Sequence, residues 1–258
     1  MAELLLLIAG FFGGAVNSLA GGGSLIVFPA LLAAGVPPIV ANASNTYAAL
    51  PGYVSGVVGY WRHMRPYRDR LVLYSIISLI GGYLGAELLL HISASQFDRA
   101  IPWLIGFAVV LFAFGGQING LVARAAKAGR GAKAAGLAIL VLLLGIVCVY
   151  GGFFNAGLGI LLLAVLALGG LSDIHAMNGL KLWISSVVAL VAVVRFVIGG
   201  AIDWYWGSIA LAGVVIGGYV AARFAHLIPQ PLLRWLIIIY GVVQTVWFFW
   251  RAYGPAAA

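Results

Sequence analysis

Apolar residues dominate the first part of the chain, but their run is interrupted at residues 17–24, where three consecutive glycines stand between Asn17 and Ser24. Each glycine in a helix interior costs about 1 kcal/mol relative to alanine, whereas both flanks are too apolar for a loop in water. The pattern therefore predicts two helices, at 4–16 and 24–36, that are too short to cross a bilayer alone and meet at a break inside it. Backbone groups at such a break need partners within the protein, because hydrocarbon offers none.

A second break of the same kind is predicted at residues 155–159, where Asn155, Gly157 and Gly159 interrupt another apolar run. Apolar stretches of roughly the 20 residues that a helix needs to cross a bilayer make up most of the remaining chain. We predict full membrane spans at residues 39–61, 71–90, 99–118, 175–198, 204–226 and 231–250. The fold class is therefore all-α, since a transmembrane barrel would show short alternating strands instead.

The second half of the chain repeats the first in weak form. Gly151 echoes Gly13 and Asn178 echoes Asn45, at offsets of 138 and 133 residues. We predict a first repeat at residues 1–118, a basic linker at 119–133 and a second repeat at 134–258. Each repeat contains one broken helix pair and three full spans. Because three crossings is an odd number, the two repeats are expected to have inverted topology.

The composition places the chain in a lipid bilayer. It is 64% hydrophobic and 8% charged, with a mean hydropathy of +1.13, whereas soluble domains carry about 25% charged residues. The net charge of +8 does not indicate a nucleic-acid partner, because the basic residues lie in short loops between apolar spans. An N-terminus without basic residues argues against a cleaved signal peptide.

The basic loops predict the orientation in the membrane. The segments 62–70 and 119–133, together with the turn bounded by Arg223 and Arg234, are expected on one side and contain ten of the fourteen Lys and Arg residues. By the positive-inside rule that side is the cytoplasm, so both termini are predicted to be periplasmic. The localisation that follows is a multi-pass protein of the bacterial inner membrane.

No enzyme signature is present in the sequence, and we expect no catalytic residues, cofactor or metal. The four histidines are scattered near the ends of spans, where an interfacial position is the simpler interpretation. Cys148 has no second cysteine to pair with. Motifs of the form Gly-x-x-x-Gly, at Gly10, Gly52, Gly81 and Gly213, favour close packing inside the helix bundle; a homodimer contact is the alternative.

Polar residues within the spans predict a binding site for a small anion. Two inverted breaks bring helix N-termini together, and such termini attract anions. Lys181 lies about two turns into its span, where a buried charge costs about 2.5–3.5 kcal/mol that an anion would offset; a lysine that reaches the interface is the alternative. Arg195 and Glu87 fall toward span ends, and we expect Arg195 to reach the membrane surface. The predicted substrate-binding residues are Asn17, Gly22, Gly23, Ser24, Asn45, Thr46, Asn155, Gly157, Gly159, Asn178 and Lys181.

At several of these positions the chain resembles the sulfite exporter TauE/SafE family. The resemblance rests on residues 21–24, 44–46 and 51–52 in the first half and on residues 178–181 and 202–204 in the second, and it extends over nearly the whole chain. It implies a bacterial inner-membrane transporter of sulfur-containing anions such as sulfite, sulfoacetate or other organosulfonates.

The leading hypothesis is therefore a secondary transporter that exports such an anion by alternating access, with the anion bound between the two broken helix pairs. Three alternatives remain at this point, of which one is an intramembrane enzyme or metal handler that uses the histidines. An anion channel would line a continuous pore with the same breaks, and the same site could transport another small anion.

Overall fold

The computed structural model describes residues 1–19, 22–128, 133–224 and 230–254 of the 258-residue chain. These residues form helices and no strand, which confirms the all-α prediction. The helices in chain order are α1 (Ala2–Leu19), α2 (Ser24–Ala33), α3 (Pro38–Met64), α4 (Arg68–His91), α5 (Ala94–Ala128), α6 (Lys133–Phe153), α7 (Leu158–Leu168), α8 (Ile174–Ile198), α9 (Trp204–Phe224) and α10 (Gln230–Tyr253). A short 3-10 helix, Arg65–Tyr67, joins α3 to α4.

Five helical stretches of the described chain are long and apolar enough to cross a membrane. They are Pro38–His91, which holds α3 and α4 in succession, Ala94–Gln117, Ile174–Ile198, Trp204–Ala221 and Trp235–Tyr253. The predicted full spans thus correspond to α3, α4, α5, α8, α9 and α10. Large apolar side chains such as Ile80, Leu190 and Val246 are exposed on these helices, which is typical of a surface that contacts lipid.

The first helix is longer than the glycine pattern predicts. It continues past Val16 to Leu19, so the break begins after Asn17 rather than at it. Within the predicted segment, the missing side chain of Gly14 lets α1 approach the backbone of Val214 on α9.

Short helices α2 and α7 end on glycines that adopt left-handed backbone conformations. After Ala33, Gly35 has φ +87°, and the N–H of Val36 donates to the carbonyl of Leu31 at 3.1 Å. Gly170 closes α7 in the same way with φ +81°. Both closures are Schellman motifs, which satisfy the last carbonyls of each helix. The motif at Gly35 ends α2 before the predicted boundary.

Two pairs of helices lie parallel and in close backbone contact across the two halves of the sequence. On α9, Gly213 faces Leu7 and Gly217 faces Phe11 of α1, so the contacts advance together along both helices. The glycines are needed here because a Cβ at either position would collide with backbone of α1.

The pair α4 and α6 repeats this arrangement. Gly81 faces Cys148 and Gly85 faces Gly152, again advancing together. The Gly-x-x-x-Gly motifs at Gly10, Gly81 and Gly213 therefore pack helices within the chain, as the first of the two interpretations of these motifs predicts.

Antiparallel contact joins α3 to α8, and α5 to α10. Met64 near the end of α3 lies against Gly179, whereas Gly56 lies against Leu182. The indole N–H of Trp103 on α5 donates to the hydroxyl of Tyr253 at 3.2 Å. Farther along α5, Gly106 approaches Thr245 of α10, so the contacts run in opposite directions along the two helices.

Parallel contact also joins α3 to α9. The hydroxyl of Ser44 accepts a hydrogen bond at 2.9 Å from the N–H of Asp203, which precedes α9, and Tyr47 lies beside Gly207. The hydroxyl of Ser44 thus satisfies a backbone group near the beginning of α9.

The helices α4 and α8 are parallel as well. The indole N–H of Trp183 donates to the hydroxyl of Ser75 at 2.9 Å, and farther along both helices Gly82 lies against Val188. Contacts between the two halves therefore involve most of the full spans.

The basic segment predicted as a linker differs from a simple loop. Helix α5 extends through Ala128, well into residues 119–133, and α6 begins at Lys133. Residues 129–132 lie outside the described residues. The predicted basic turn between Arg223 and Arg234 also falls largely outside them, at 225–229.

Buried polar side chains are concentrated near the two breaks and on α3. Those that are at most 8% exposed are Ser24, Asn42, Ser44, Asn45, Thr46, Ser78, Asn155 and Ser185. The rest of the core is apolar and includes Phe28, Phe154 and Phe196. This distribution places a polar region inside an otherwise apolar bundle.

Candidate functional site

The second break is shaped by Gly157, which has φ +82° and precedes the first residue of α7. This left-handed conformation suits glycine because other residues carry a steric penalty there. The N–H groups of Ile160 and Leu161 both bond to the Gly157 carbonyl, at 3.1 and 3.3 Å. The N–H of Gly159 has no acceptor within the described part of the chain, so the N-terminus of α7 presents a free donor.

Side chains from elsewhere in the bundle satisfy carbonyl groups at this break. The amide of Asn42 on α3 donates to the carbonyl of Phe153 at 2.8 Å. The hydroxyl of Tyr150 donates to the carbonyl of Ala156 at 2.6 Å. Because lipid cannot supply such partners, these bonds allow the helix to stop inside the bundle.

The two breaks line one cavity together with α3 and α8. Its walls are formed by Asn17, Ser24, Tyr53, Asn155, Ala156, Gly157, Gly159, Lys181, Leu182 and Ser185. The cavity volume is about 20 Å³. In this conformation the cavity is therefore small, with room for a group of few atoms.

Lys181 brings a positive charge to this cavity. Its side chain lies along the first turn of α7, where a Cβ on Gly159 would be 3.3 Å from Lys181 Cδ. Its ammonium donates to Asn178 Oδ1 at 3.1 Å. No carboxylate of the described residues lies within 4 Å of it. A cation beside a helix N-terminus is unfavourable unless an anion joins them.

Asn155 provides a further hydrogen-bond donor at the cavity, in addition to the Gly159 N–H and the Lys181 ammonium. Its side-chain carbonyl accepts a hydrogen bond from the hydroxyl of Tyr53 at 3.0 Å. Its amide nitrogen, Nδ2, is buried without a hydrogen-bond partner among the described residues. Buried donors are rarely left unpaired in folded proteins, so this nitrogen is suited to bind an acceptor in the cavity.

The structure brings together only part of the predicted residue set. Lining the cavity are Asn17, Ser24, Asn155, Gly157, Gly159 and Lys181. Gly22 and Gly23 belong to the first break but do not line the cavity; they pack against Phe112 and against α1. Asn45 is buried on α3 away from the cavity walls. Thr46 bonds to the carbonyl of Asn42 on its own helix.

Asn178 is hydrogen-bonded to Lys181 and is not part of the cavity wall. Tyr53 and Ser185 line the cavity but were not among the predicted binding residues. Ser185 had a usable signal, since it follows Lys181 by four residues and therefore lies on the same helix face. Tyr53 likewise lies seven residues after Thr46, about two turns along α3.

Arg195 is paired in a way that the sequence did not predict. Its guanidinium forms an ion pair with Glu87 on α4, and Arg195 Nη2 donates to Glu87 Oε1 at 3.1 Å. That Arg195 reaches the membrane surface stays a prediction. Partners 108 residues apart are found only when the helices are packed.

Two of the histidines also meet across the halves. The rings of His63 and His175 have centroids 5.0 Å apart, with Tyr60 beside both. Both histidine side chains are exposed, at the end of the bundle where α3 ends and α8 begins. Among the described residues, no group of three or more His, Cys, Asp or Glu side chains could hold a metal ion.

Apolar helices that break around a polar cavity define a membrane transport protein. The sequence profile of the family described as Sulfite exporter TauE/SafE matches residues 6–248, and the chain belongs to this family. The resemblance seen in the sequence is thereby confirmed.

Curated relatives agree with this assignment. The chain is 26% identical over 249 residues to the probable membrane transporter protein YfcA of Escherichia coli (strain K12), covering 96% of this chain and 88% of the relative. It is 28% identical over 243 residues to a probable membrane transporter protein of Haemophilus influenzae, covering 93% and 92% of the two chains. No solved structure matches the chain with significance.

Proposed function

We propose that this chain exports a small sulfur-containing anion, sulfite or an organosulfonate, across the bacterial inner membrane. The observation that carries the proposal is the environment of Lys181. Its side chain lies along the first turn of α7, in a cavity that Asn155 also lines, and its ammonium has no carboxylate partner among the described residues. Three sources of positive potential around one cavity favour an anion over a cation or a neutral solute.

Asn155 Nδ2 and the N–H of Gly159 would hydrogen-bond the oxygens of the anion, while Lys181 would neutralise its charge. Asn178 would orient the Lys181 ammonium through their 3.1 Å contact. Ser24 and Asn17 line the cavity from the first break. The binding site would thus draw residues from both halves, as alternating access between two repeats requires.

The helix directions support inverted repeats. Helix α1 is parallel to α9, α9 is parallel to α3, and α3 is antiparallel to α8. Because α8 is parallel to α4 and α4 to α6, helix α6 runs opposite to its counterpart α1. The antiparallel pair α5 and α10 follows the same rule. The two halves would therefore carry equivalent helices through the membrane in opposite directions.

Export has a natural driving force in this arrangement. The end of the bundle with Arg62, Arg65, Arg68 and Arg70 would face the cytoplasm by the positive-inside rule. An anion leaving the cell moves down the membrane potential, which contributes about 2.3 kcal/mol per charge per 100 mV. The cavity has room for about one water molecule in this conformation, so binding of the anion would require the two repeats to move apart around it, as a carrier does and an open channel does not.

Binding and flux of the purified protein test the proposal. Thermal unfolding is measured with sulfite, thiosulfate, sulfoacetate, taurine and sulfate, followed by efflux of the stabilising anion from proteoliposomes. We expect at least one sulfur oxyanion to raise the unfolding temperature and to be transported. Stabilisation by none of them, in protein that is folded and monodisperse, would contradict the proposed substrate class.

Lys181→Ala is the decisive variant, with Arg65→Gln as the matched control because it also removes one positive charge but lies exposed outside the cavity. Lys181→Ala should insert normally yet lose binding and flux, while Arg65→Gln should retain both. Flux at the level of the unmodified protein in Lys181→Ala would remove Lys181 from the mechanism.

A further inference from the structure

The ion pair between Arg195 and Glu87 joins the two halves at the end of the bundle away from the arginines of residues 62–70. Two guanidinium nitrogens, Nε and Nη2, donate to the two carboxylate oxygens of Glu87. Nδ1 of His91 lies 3.4 Å from Glu87 Oε1. The arginine and glutamate side chains are 21% and 29% exposed, so they are only partly enclosed by the protein. The two planar groups therefore meet in a fork that is partly withdrawn from solvent.

Arg195 lies on the same face of α8 as Lys181. Fourteen residues separate them, which in an α-helix is about 21 Å and about 40° short of four full turns. Ser185, between them, lines the cavity. Val188 and Ala192 follow on this face and are 1% and 0% exposed. From the cavity outward, this face of α8 thus passes through a dry apolar segment and ends at the ion pair.

The same contact holds α4 against α8. Val188 packs onto Gly82 of α4, directly inward of the ion pair. Any movement of α4 away from α8 would break the pair and leave the guanidinium without its partner. Because the pair is partly exposed, breaking it costs less than breaking a buried pair, and the guanidinium can then take another partner. A replacement anion with two oxygens in one plane would satisfy the guanidinium as the carboxylate does.

We propose that Arg195 is a second anion-binding residue, at which Glu87 occupies the position of the departing anion until the two exchange. This inference rests on the proposed function, because the exchanging anion is the one that Lys181 releases. The ligand class is an oxyanion that presents two oxygens to a guanidinium fork, such as sulfite or a sulfonate. Glu87 is thus a competitor held within the protein, and its carboxylate keeps this end closed when no anion is present.

The first experiment measures the apparent affinity for sulfite applied to the face on which Arg195 lies, in membrane vesicles of defined orientation. Glu87→Gln frees the guanidinium from its competitor and should strengthen the apparent affinity at least threefold. Arg195→Gln should weaken it at least threefold. A purely structural ion pair predicts that both variants shift the affinity in the same direction, and that result would overturn the proposal.

Ser75→Ala is the matched control. It removes a different polar side-chain contact between α4 and α8, the 2.9 Å hydrogen bond from Trp183, without altering charge. We expect the apparent affinity to be unchanged. If Glu87→Gln does not fold, Glu87→Asp shortens the carboxylate and should shift the affinity in the same direction by a smaller factor. A shift in the opposite direction would overturn the proposal.

A second experiment needs no transported substrate. Cys148 is the single cysteine, so Cys148→Ala with Ser185→Cys places one thiol at the cavity. Labelling by a membrane-impermeant maleimide from the Arg195 face should be severalfold faster with Glu87→Gln and unchanged with Ser75→Ala. Equal labelling rates with and without Glu87→Gln would contradict the proposal that Glu87 keeps this end of the bundle closed. Absence of sulfite flux in the unmodified protein would contradict the proposed function instead, and so the two failures are distinguishable.

Discussion

Tyr53, in the middle of α3, donates a 3.0 Å hydrogen bond to the side-chain carbonyl of Asn155 in the break between α6 and α7. This bond fixes the orientation of the Asn155 amide, because once the carbonyl accepts from Tyr53, Nδ2 is the group left for the cavity. It also links the first half of the chain to the break in the second half. A single phenol hydroxyl therefore orients the amide that the proposed anion would meet.

Replacing Tyr53 with phenylalanine should weaken both the fold and the site. The Asn155 carbonyl would lose its partner at a cost of about 1–3 kcal/mol, and the amide would be free to rotate. We expect a lower unfolding temperature in detergent and about tenfold weaker binding of the stabilising anion. Tyr47→Phe is the control, since Tyr47 lies on the same helix but contacts Trp204 rather than the cavity. Unchanged binding in Tyr53→Phe would contradict the orienting role.

An aspartate at position 155 should imitate the anion. Asn155→Asp keeps the size of the side chain but places a carboxylate in the cavity that Lys181 lines. Because this carboxylate offsets the buried ammonium, we expect unfolding at a higher temperature than in the unmodified protein, together with loss of anion binding and flux. Asn155→Ala should lose binding without any gain in stability. Retained flux in Asn155→Asp would exclude Asn155 from the binding site.

The two glycines of the second break should respond differently to alanine. Gly157→Ala forces a side chain into the left-handed region, at a cost of about 1–2 kcal/mol, so thermal stability should fall. Gly159→Ala places a Cβ 3.3 Å from Lys181 Cδ. We expect Gly159→Ala to shift the lysine and weaken anion binding severalfold with little loss of stability. The comparison is read from unfolding and binding curves of both variants, and a larger stability loss in Gly159→Ala would be contrary to the structure.

Glycines at helix contacts should be far less replaceable than those that face outward. A Cβ on Gly14 or Gly85 would collide with the backbone of Val214 or Val149. Either Gly→Ala change should therefore lower the yield of monodisperse protein. Gly59→Ala meets nothing within 4 Å and should stabilise α3 by about 0.5–1 kcal/mol, the difference in helix propensity. Equal tolerance of the three changes would contradict the packing of α1 on α9 and α4 on α6.

Residues close in sequence were sufficient to predict the class of fold and the position of both breaks. Helix propensity is a local property, so consecutive glycines in apolar surroundings indicate a broken helix whatever the rest of the chain does. Lys181 could be recognised because a charge inside an apolar span is conspicuous and costly. The same local reasoning placed the end of α1 too early, because the helix continues past Val16 to Leu19.

The amino-acid sequence by itself determined that this chain is a bundle of apolar helices with two internal breaks, and that a lysine lies in one span. Only the tertiary structure decided which side chains meet: Tyr53 with Asn155, Glu87 with Arg195, and Lys181 with the first turn of α7. The physical reason is that partners on different helices are selected by the rotation and direction of those helices as they pack, which no local pattern encodes. Packing therefore produced the cavity and its charge, while local propensity produced the elements that enclose it.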